Sequence, residues 1–298
     1  MSLLAPGYLT ISAAELAAQA GERLLILPTR AAVYQDFARS IADEIQQNNT
    51  AGRRTVLILP VGPLGGFPPL AAVCNGEGIS WRQVHTFNMD EYLDWQARPI
   101  PLEHPLSFHA FMQRFFAQLD PALRPPPEQC HFPDPARPDA TWELMQALGG
   151  VDSCYGGIGV HGHIAFNEPP RSRWRALSVD EFRRSRTRVI SLAPETMVMN
   201  SIRGLGGAFA VLPPMGITLG MAECLAARRL RLYCDGGEWQ RTAVRTALLG
   251  PVDVAYPATL TQDHPNCVIV CTAATAEPAV RPEQTLWDAA LAAANAAD

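Results

Sequence analysis

Thr55-Val56-Leu57-Ile58-Leu59-Pro60-Val61 is an unbroken apolar, β-branched run that opens into Gly62-Pro63-Leu64-Gly65-Gly66. A strand with one wet face alternates polar and apolar residues, whereas a run apolar at both parities reads as a strand covered on both faces, as in a parallel sheet. Comparable runs predict further strands over 84–88, 154–160, 188–192, 230–234 and 267–271. Between them, Val33, Phe37, Ile41 and Ile45 recur every four residues behind Thr29, which predicts an amphipathic helix with Thr29 as its N-cap. Phe108, Phe111, Met112, Phe115 and Phe116 predict a second. Such stripes are core walls and carry no chemistry. The alternation predicts an α/β fold: a doubly wound, mostly parallel, Rossmann-like open sheet with helices on both faces. One domain is expected over 22–280, after an N-terminal extension 1–21 and before an alanine-rich tail 281–298. In such sheets ligands bind outside the carboxyl ends of the strands, so the loops that follow strands are the places to search.

Composition removes several classes of function. The chain has 298 residues, 24 basic and 29 acidic, for a net charge of −5, and every basic residue is arginine. Without lysine there is no Walker-type phosphate loop, no Schiff-base amine and no protein-kinase chemistry. The acidic balance argues against a nucleic-acid partner. Seven cysteines form no CxxC pair, so they are expected as buried small hydrophobes in a reducing compartment. No apolar run approaches the roughly 20 residues that span a bilayer, and no basic leader precedes one, so no membrane partner and a cytoplasmic location are expected.

Two segments place ionisable groups directly behind a predicted strand. In His85-Thr86-Phe87-Asn88-Met89-Asp90-Glu91-Tyr92 an apolar strand runs into adjacent carboxylates. Repulsion and partial desolvation would raise a carboxyl pKa toward the range of a general base, while an acidic helix start capping its own dipole fits the same letters. In Gly156-Gly157-Ile158-Gly159-Val160-His161-Gly162-His163-Ile164-Ala165-Phe166-Asn167-Glu168-Pro169, glycines allow close backbone approach and two imidazoles with a carboxylate supply proton-transfer groups. The HxH pair alone is a weak metal signal.

Together these segments resemble the glucosamine-6-phosphate deaminase/isomerase family, which is related to the 6-phosphogluconolactonases. The family pattern FNMDEY is intact at Phe87 to Tyr92, and GxxGHIAFNEP matches Gly159 to Pro169. Weaker matches are Glu103-His104-Pro105-Leu106-Ser107-Phe108, Met199-Asn200-Ser201, Ile217-Thr218-Leu219-Gly220-Met221 and Asp263-His264-Pro265. The resemblance implies an enzyme of amino-sugar metabolism that turns an amino-sugar phosphate into a ketose phosphate with release of ammonia. It implies Asp90 as the base at C2 and C1, His163 as the ring-opening group, Glu168 as its orienting carboxylate and Glu91 as a supporting one. Gly62, Gly65, Gly66, Gly162, Asn167, Arg203 and Arg241 would hold the sugar phosphate. The chemistry is acid–base, so neither a metal nor an organic cofactor is expected. Family members often assemble, and a homo-oligomer is the corresponding expectation.

The chain departs from the family in three places. His161 stands two positions before the ring-opening histidine, where the family has aspartate, and a basic group there opposes an imidazolium instead of favouring it. The anion loop lacks the family's hydroxyl and carries Pro63, which has no N–H to donate. The family's phosphate lysine is absent, with Gln240 or Arg241 near its place, and Ile202 replaces an arginine, with Arg203 one residue on. The arginines at 171, 173, 175, 183, 184, 186 and 188 are alternative anion contacts, or else a solvated loop paired with Asp180 and Glu181. Other readings of the chain are a non-catalytic sugar-phosphate sensor, a lactone hydrolase, and a metal-dependent hydrolase on His161, His163 and Asp90.

Overall fold

The computed structural model describes residues 5–171 and 174–281. Ten strands are present among them: β1 (Leu24–Leu27), β2 (Thr55–Leu59), β3 (Val84–Asn88), β4 (Asp90–Leu93), β5 (Cys130–His131), β6 (Ser153–Gly156), β7 (Arg188–Ser191), β8 (Met215–Thr218), β9 (Arg229–Cys234) and β10 (Cys267–Thr272). Seven form one sheet in the order β1-β10-β9-β6-β2-β3-β5, and every pairing in it is parallel. The other three form a small antiparallel sheet in the order β4-β8-β7.

The period-two geometry of β2 distributes its side chains to both faces of the large sheet. Val56 and Ile58 enter one apolar cluster with Leu16, Leu230 and Leu232, while Leu57 and Leu59 enter another with Val33, Phe37, Ile41 and Ile45. The helix Arg30–Thr50 builds the second cluster, and the Thr29 hydroxyl accepts from the Ala32 amide at 3.1 Å, as its N-cap position predicts. The helix Phe108–Gln118 starts at Ser107 and buries Met112, Phe115 and Phe116. All seven cysteines are unpaired, and six of them are buried. No described helix is long and apolar enough to cross a membrane.

Three expectations change. The segment 188–192 is a strand, but it joins the small antiparallel sheet through β8 and is half-buried. The segment 154–160 stops being a strand at Gly156 and becomes the loop that carries the histidines. Residues ahead of position 22 already contain the helix Ala13–Ala20, closed by a Ser12–Glu15 capping box, which sinks Leu16 and Ala20 into the core. The tail beyond Arg281, and Arg173, lie outside the described residues.

The loops after β2, β3, β6 and β9 all emerge at one end of the large sheet. Strand β3 passes into β4 at Met89, whose amide donates to Leu59 O at 3.0 Å while its carbonyl accepts from the Leu219 amide at 2.9 Å. That crossing places Asp90 where the two sheets meet.

Candidate active site

A cleft of about 300 Å³ opens at this end, bounded by Gly62, Asp90, Gly159, His163, Asn200 and Arg203 among others. Asp90 is the first residue of β4, opposite Thr218 of β8, and is 7% exposed. Its carboxylate has no hydrogen-bond donor among the described residues. Burial, reinforced by the neighbouring negative charge of Glu91, pushes its pKa up to about 8.

Glu91 follows Asp90 in an extended strand and therefore points the other way. Its carboxylate accepts from the amides of Tyr92 (2.8 Å), Phe108 (3.0 Å) and His109 (2.8 Å) and from the Ser107 hydroxyl (3.1 Å). It therefore anchors the first turn of the helix Phe108–Gln118, where a negative charge also meets the helix dipole. It stays outside the cleft.

The histidine loop is a tight turn: the Gly162 amide donates to Gly159 O at 3.0 Å and the Gly159 amide to His163 O at 2.9 Å. A Cβ on Gly159 would lie 2.0 Å from His163 Cε1, so glycine is needed for the ring to lie where it does. Gly162 has φ of +81°, its O accepts from the Ala258 amide at 2.7 Å, and the Tyr256 ring occupies the space a side chain there would fill. This glycine shapes the loop without bounding the cleft.

His163 Nδ1 lies 3.0 Å from His161 Nδ1, with the rings edge to face. One nitrogen of that pair carries the proton and the other accepts it. Burial and the neighbouring imidazole lower the His163 pKa to about 3, and burial lowers that of His161 too, so both rings are neutral at neutral pH. Glu168 makes no hydrogen bond to His163; one of its oxygens accepts from the Ala193 amide and the other, Oε1, is buried without a partner. Burial raises its pKa. The orienting contact on Nδ1 of His163 therefore comes from His161.

The binding residues separate into two groups. Gly62 bounds the cleft with open space where its Cβ would be. Gly65 and Gly66 do other work, because the rings of Tyr34 and Phe37 press against them from the helix Arg30–Thr50, 2.1 Å and 2.5 Å from where Cβ atoms would stand. Asn167 is fully buried and committed: its amide donates to Ile164 O (3.0 Å) and Leu219 O (2.7 Å), and its Oδ1 accepts from Arg188 at 2.9 Å. Arg203 reaches the cleft with its guanidinium 4.8 Å from the Trp239 ring centroid. Arg241 is turned away, bonded to Ala274 O at 3.0 Å and Glu238 at 3.1 Å. Gln240 bounds the cleft but is spent on Ile158 O (2.8 Å) and the Gly236 amide (2.6 Å).

The arginine-rich segment is held by local partners: Arg171 by Glu195, Arg175 by Glu181, Arg183 by Asp263, and Arg186 over the Trp142 ring. None of these is among the residues that bound the cleft. Sequence reasoning missed Asp235, Trp239 and Tyr92 as cleft residues. Asp235 accepts from the Tyr34 hydroxyl at 2.6 Å, and Tyr92 accepts from Asn200 at 3.0 Å. Tyr92 and Asn200 lie inside the matched motifs, whereas nothing local marks the loop after β9.

A cleft at the carboxyl ends of parallel strands, bounded by a buried carboxyl with no donor among the described residues and by a neutral imidazole, defines an α/β enzyme of proton transfer. No family model matches the chain. It is 36% identical over 263 residues to glucosamine-6-phosphate deaminase of Porphyromonas gingivalis strain W83, covering 84% of this chain and 90% of that protein. It is 34% identical over 259 residues to glucosamine-6-phosphate deaminase 1 of Bos taurus, covering 84% and 82%. Among solved structures, a monomeric glucosamine-6-phosphate deaminase superposes with a TM-score of 0.72 at 25% identity, over 85% of this chain and 98% of that one. A 6-phosphogluconolactonase from Shewanella baltica shares the fold at a TM-score of 0.57 and 19% identity, over 84% and 97%. The chain belongs to the glucosamine-6-phosphate deaminase family.

Proposed function

We propose that the protein converts glucosamine-6-phosphate, or a closely related amino-sugar phosphate, into the ketose phosphate with release of ammonia. The observation that carries this reading is the Asp90 carboxyl, which bounds the cleft without a hydrogen-bond donor among the described residues and has its pKa raised to about 8. A carboxyl that titrates near the working pH is suited both to take a proton and to return it.

His163 acts first, passing a proton at the ring oxygen so that the sugar opens to the aldehyde. Asp90 then removes the proton from C2, giving an enol across C1 and C2, and returns it to C1. The nitrogen at C2 becomes an imine, water adds to it, and ammonia leaves as the C2 carbonyl forms. Water is consumed and no electrons are exchanged with any cofactor. Arg203 and the amides of the loop at Gly62 would hold the anionic end of the substrate.

Ammonia release from glucosamine-6-phosphate by the wild-type protein, compared with Asp90→Asn, tests the reading. Release that disappears in the variant supports it. Absence of release from the wild type, with the sugar phosphate still bound in calorimetry, would replace it by a sensor on the same fold.

A further inference from the structure

Five buried side-chain polar atoms lack a hydrogen-bond partner among the described residues, and four belong to His161, Glu168, Thr196 and Tyr256. Three of these, on His161, Glu168 and Thr196, gather around one loop, whereas the Tyr256 hydroxyl lies toward Thr246. His161 and Glu168 are part of it, and the Thr196 hydroxyl stands beside the Glu168 carboxylate outside strict hydrogen-bond geometry. A buried polar atom left unpaired forfeits the hydrogen bonds it had with water. Glu168 Oε1 is unused bonding capacity beside the histidines; on His161 the unpaired atom is Nε2, its Nδ1 being bonded to His163.

The residues there are metal ligands by type and by spacing. One ligand atom from each of His161, His163 and Glu168 lies within 4.8 Å of the other two, and the two Nδ1 atoms are 3.0 Å apart. Two nitrogens bound to one tetrahedral zinc at about 2.0–2.1 Å stand roughly 3.3 Å from each other, close to the separation already present. Two imidazoles and a carboxylate form a common donor set for zinc and its neighbours, with a further position left for water or substrate. The second oxygen of Glu168 is tied to the Ala193 amide, the kind of outer contact that fixes a ligating carboxylate. The turn from Gly159 to His163 is held by backbone hydrogen bonds, and the two rings it carries are in contact.

We infer that His161, His163 and Glu168 form a binding site for a divalent transition-metal ion of the zinc class, beside the cleft that holds Asp90. The inference stands on donor geometry and does not depend on the deaminase reading. An ion held by one nitrogen of His163 would fix the ring's proton on the other. In the bare pair either nitrogen can carry the proton.

Chelator-treated protein is titrated with zinc chloride in a calorimeter and with cobalt(II) chloride in a visible spectrophotometer. The expected result is one equivalent bound with micromolar or tighter affinity, a ligand-field band of tetrahedral cobalt, and binding weakened about tenfold or more in both His161→Ala and Glu168→Gln. Circular dichroism melts establish that each variant is folded, and His161→Gln replaces the alanine variant if that one is not. Histidine side-chain ¹⁵N spectra add a readout at the ligands, since zinc should move the His161 and His163 resonances together. The absence of saturable zinc binding, or equal binding by the wild type and the folded variants, overturns the inference. Ammonia release is followed on the same samples: zinc binding without release leaves the site standing and removes the deaminase reading, and release without zinc binding does the reverse.

Discussion

Nδ1 of His161 meets Nδ1 of His163 at 3.0 Å, so the histidine that faces the cleft is oriented by a second imidazole and not by a carboxylate. Glu168 lies close enough to share a ligand with both rings, yet it bonds to the Ala193 amide. Burial first, and the neighbouring imidazole second, keep His163 neutral across the physiological range.

Replacing His161 with aspartate should reverse that. A carboxylate within hydrogen-bond reach favours the imidazolium, typically by about 1–3 pKa units. The His163 titration, followed by NMR, is therefore expected to rise by at least about one unit from its value near 3. An unmoved titration in a folded variant would show that burial alone sets this pKa.

Asp90 ties activity to stability. Its pKa is about 8 in the folded protein against a model value of 3.8, so between these limits the native state binds a proton that the unfolded chain has lost. Stability from this group is lost as pH rises toward 8, at about 1.4 kcal/mol per unit. His163, lowered from 6.5 to about 3, works in the opposite sense, its contribution being lost as pH falls below 6.5. The two slopes cancel between about pH 4 and 6.5, leaving Asp90 alone above that range. Asp90→Asn should therefore gain stability over the wild type as pH goes from 6.5 to 8, by a few kcal/mol at most, in urea unfolding series at fixed pH. Parallel curves for the two proteins would refute the raised pKa.

The same group sets the rate profile. If Asp90 is the base, as proposed, kcat/KM of the free enzyme should climb with pH and level off above about 8 as its carboxyl ionises. Glu91→Gln removes the negative neighbour, so the rising limb should shift to lower pH. This substitution also replaces a charged acceptor of four hydrogen bonds, at a cost of about 2–3 kcal/mol or more by chemical denaturation. A limb that stays in place would assign the raised pKa to burial only.

Glycines along the cleft should not respond alike to alanine. Gly159→Ala puts a methyl 2.0 Å from the His163 ring and should reduce kcat at least about tenfold while the fold survives. Gly65→Ala meets the Tyr34 ring at 2.1 Å and should cost about 1–3 kcal/mol of stability. Gly62→Ala points into open space and should shift stability by less than about 0.5 kcal/mol. Equal melting temperatures for the Gly62 and Gly65 variants would contradict the packing described.

The strands legible in the sequence are those covered on both faces, where apolar side chains occupy both parities, as in β2, β9 and β10. β4 was not legible, because Asp-Glu-Tyr-Leu looks like a helix start and becomes a strand only by pairing with β8, far along the chain. β1 lies at the sheet edge and is half exposed, and β5 has two residues, too few for a period. At the site, Asp90 and His163 are signalled by their own motifs. The bond between the histidines, the packing role of Gly65 and Gly66 and the presence of Asp235 are tertiary facts with no local mark. Arg241 and Arg203 look equivalent as letters, and only the geometry of the Trp239 loop separates them.

Met89 is bonded through its amide to β2 of the large sheet and through its carbonyl to Leu219, just past β8 of the small one. It works as a rivet between two plates. Sliding of the small sheet over the large one would strain that rivet and carry Asp90 with it, while His163 rides on the loop after β6, which belongs to the large sheet. The spacing between Asp90 and His163 is thus a mechanical property of the joint between the sheets, and a ligand or substitution that loosens the joint would change that spacing from a distance.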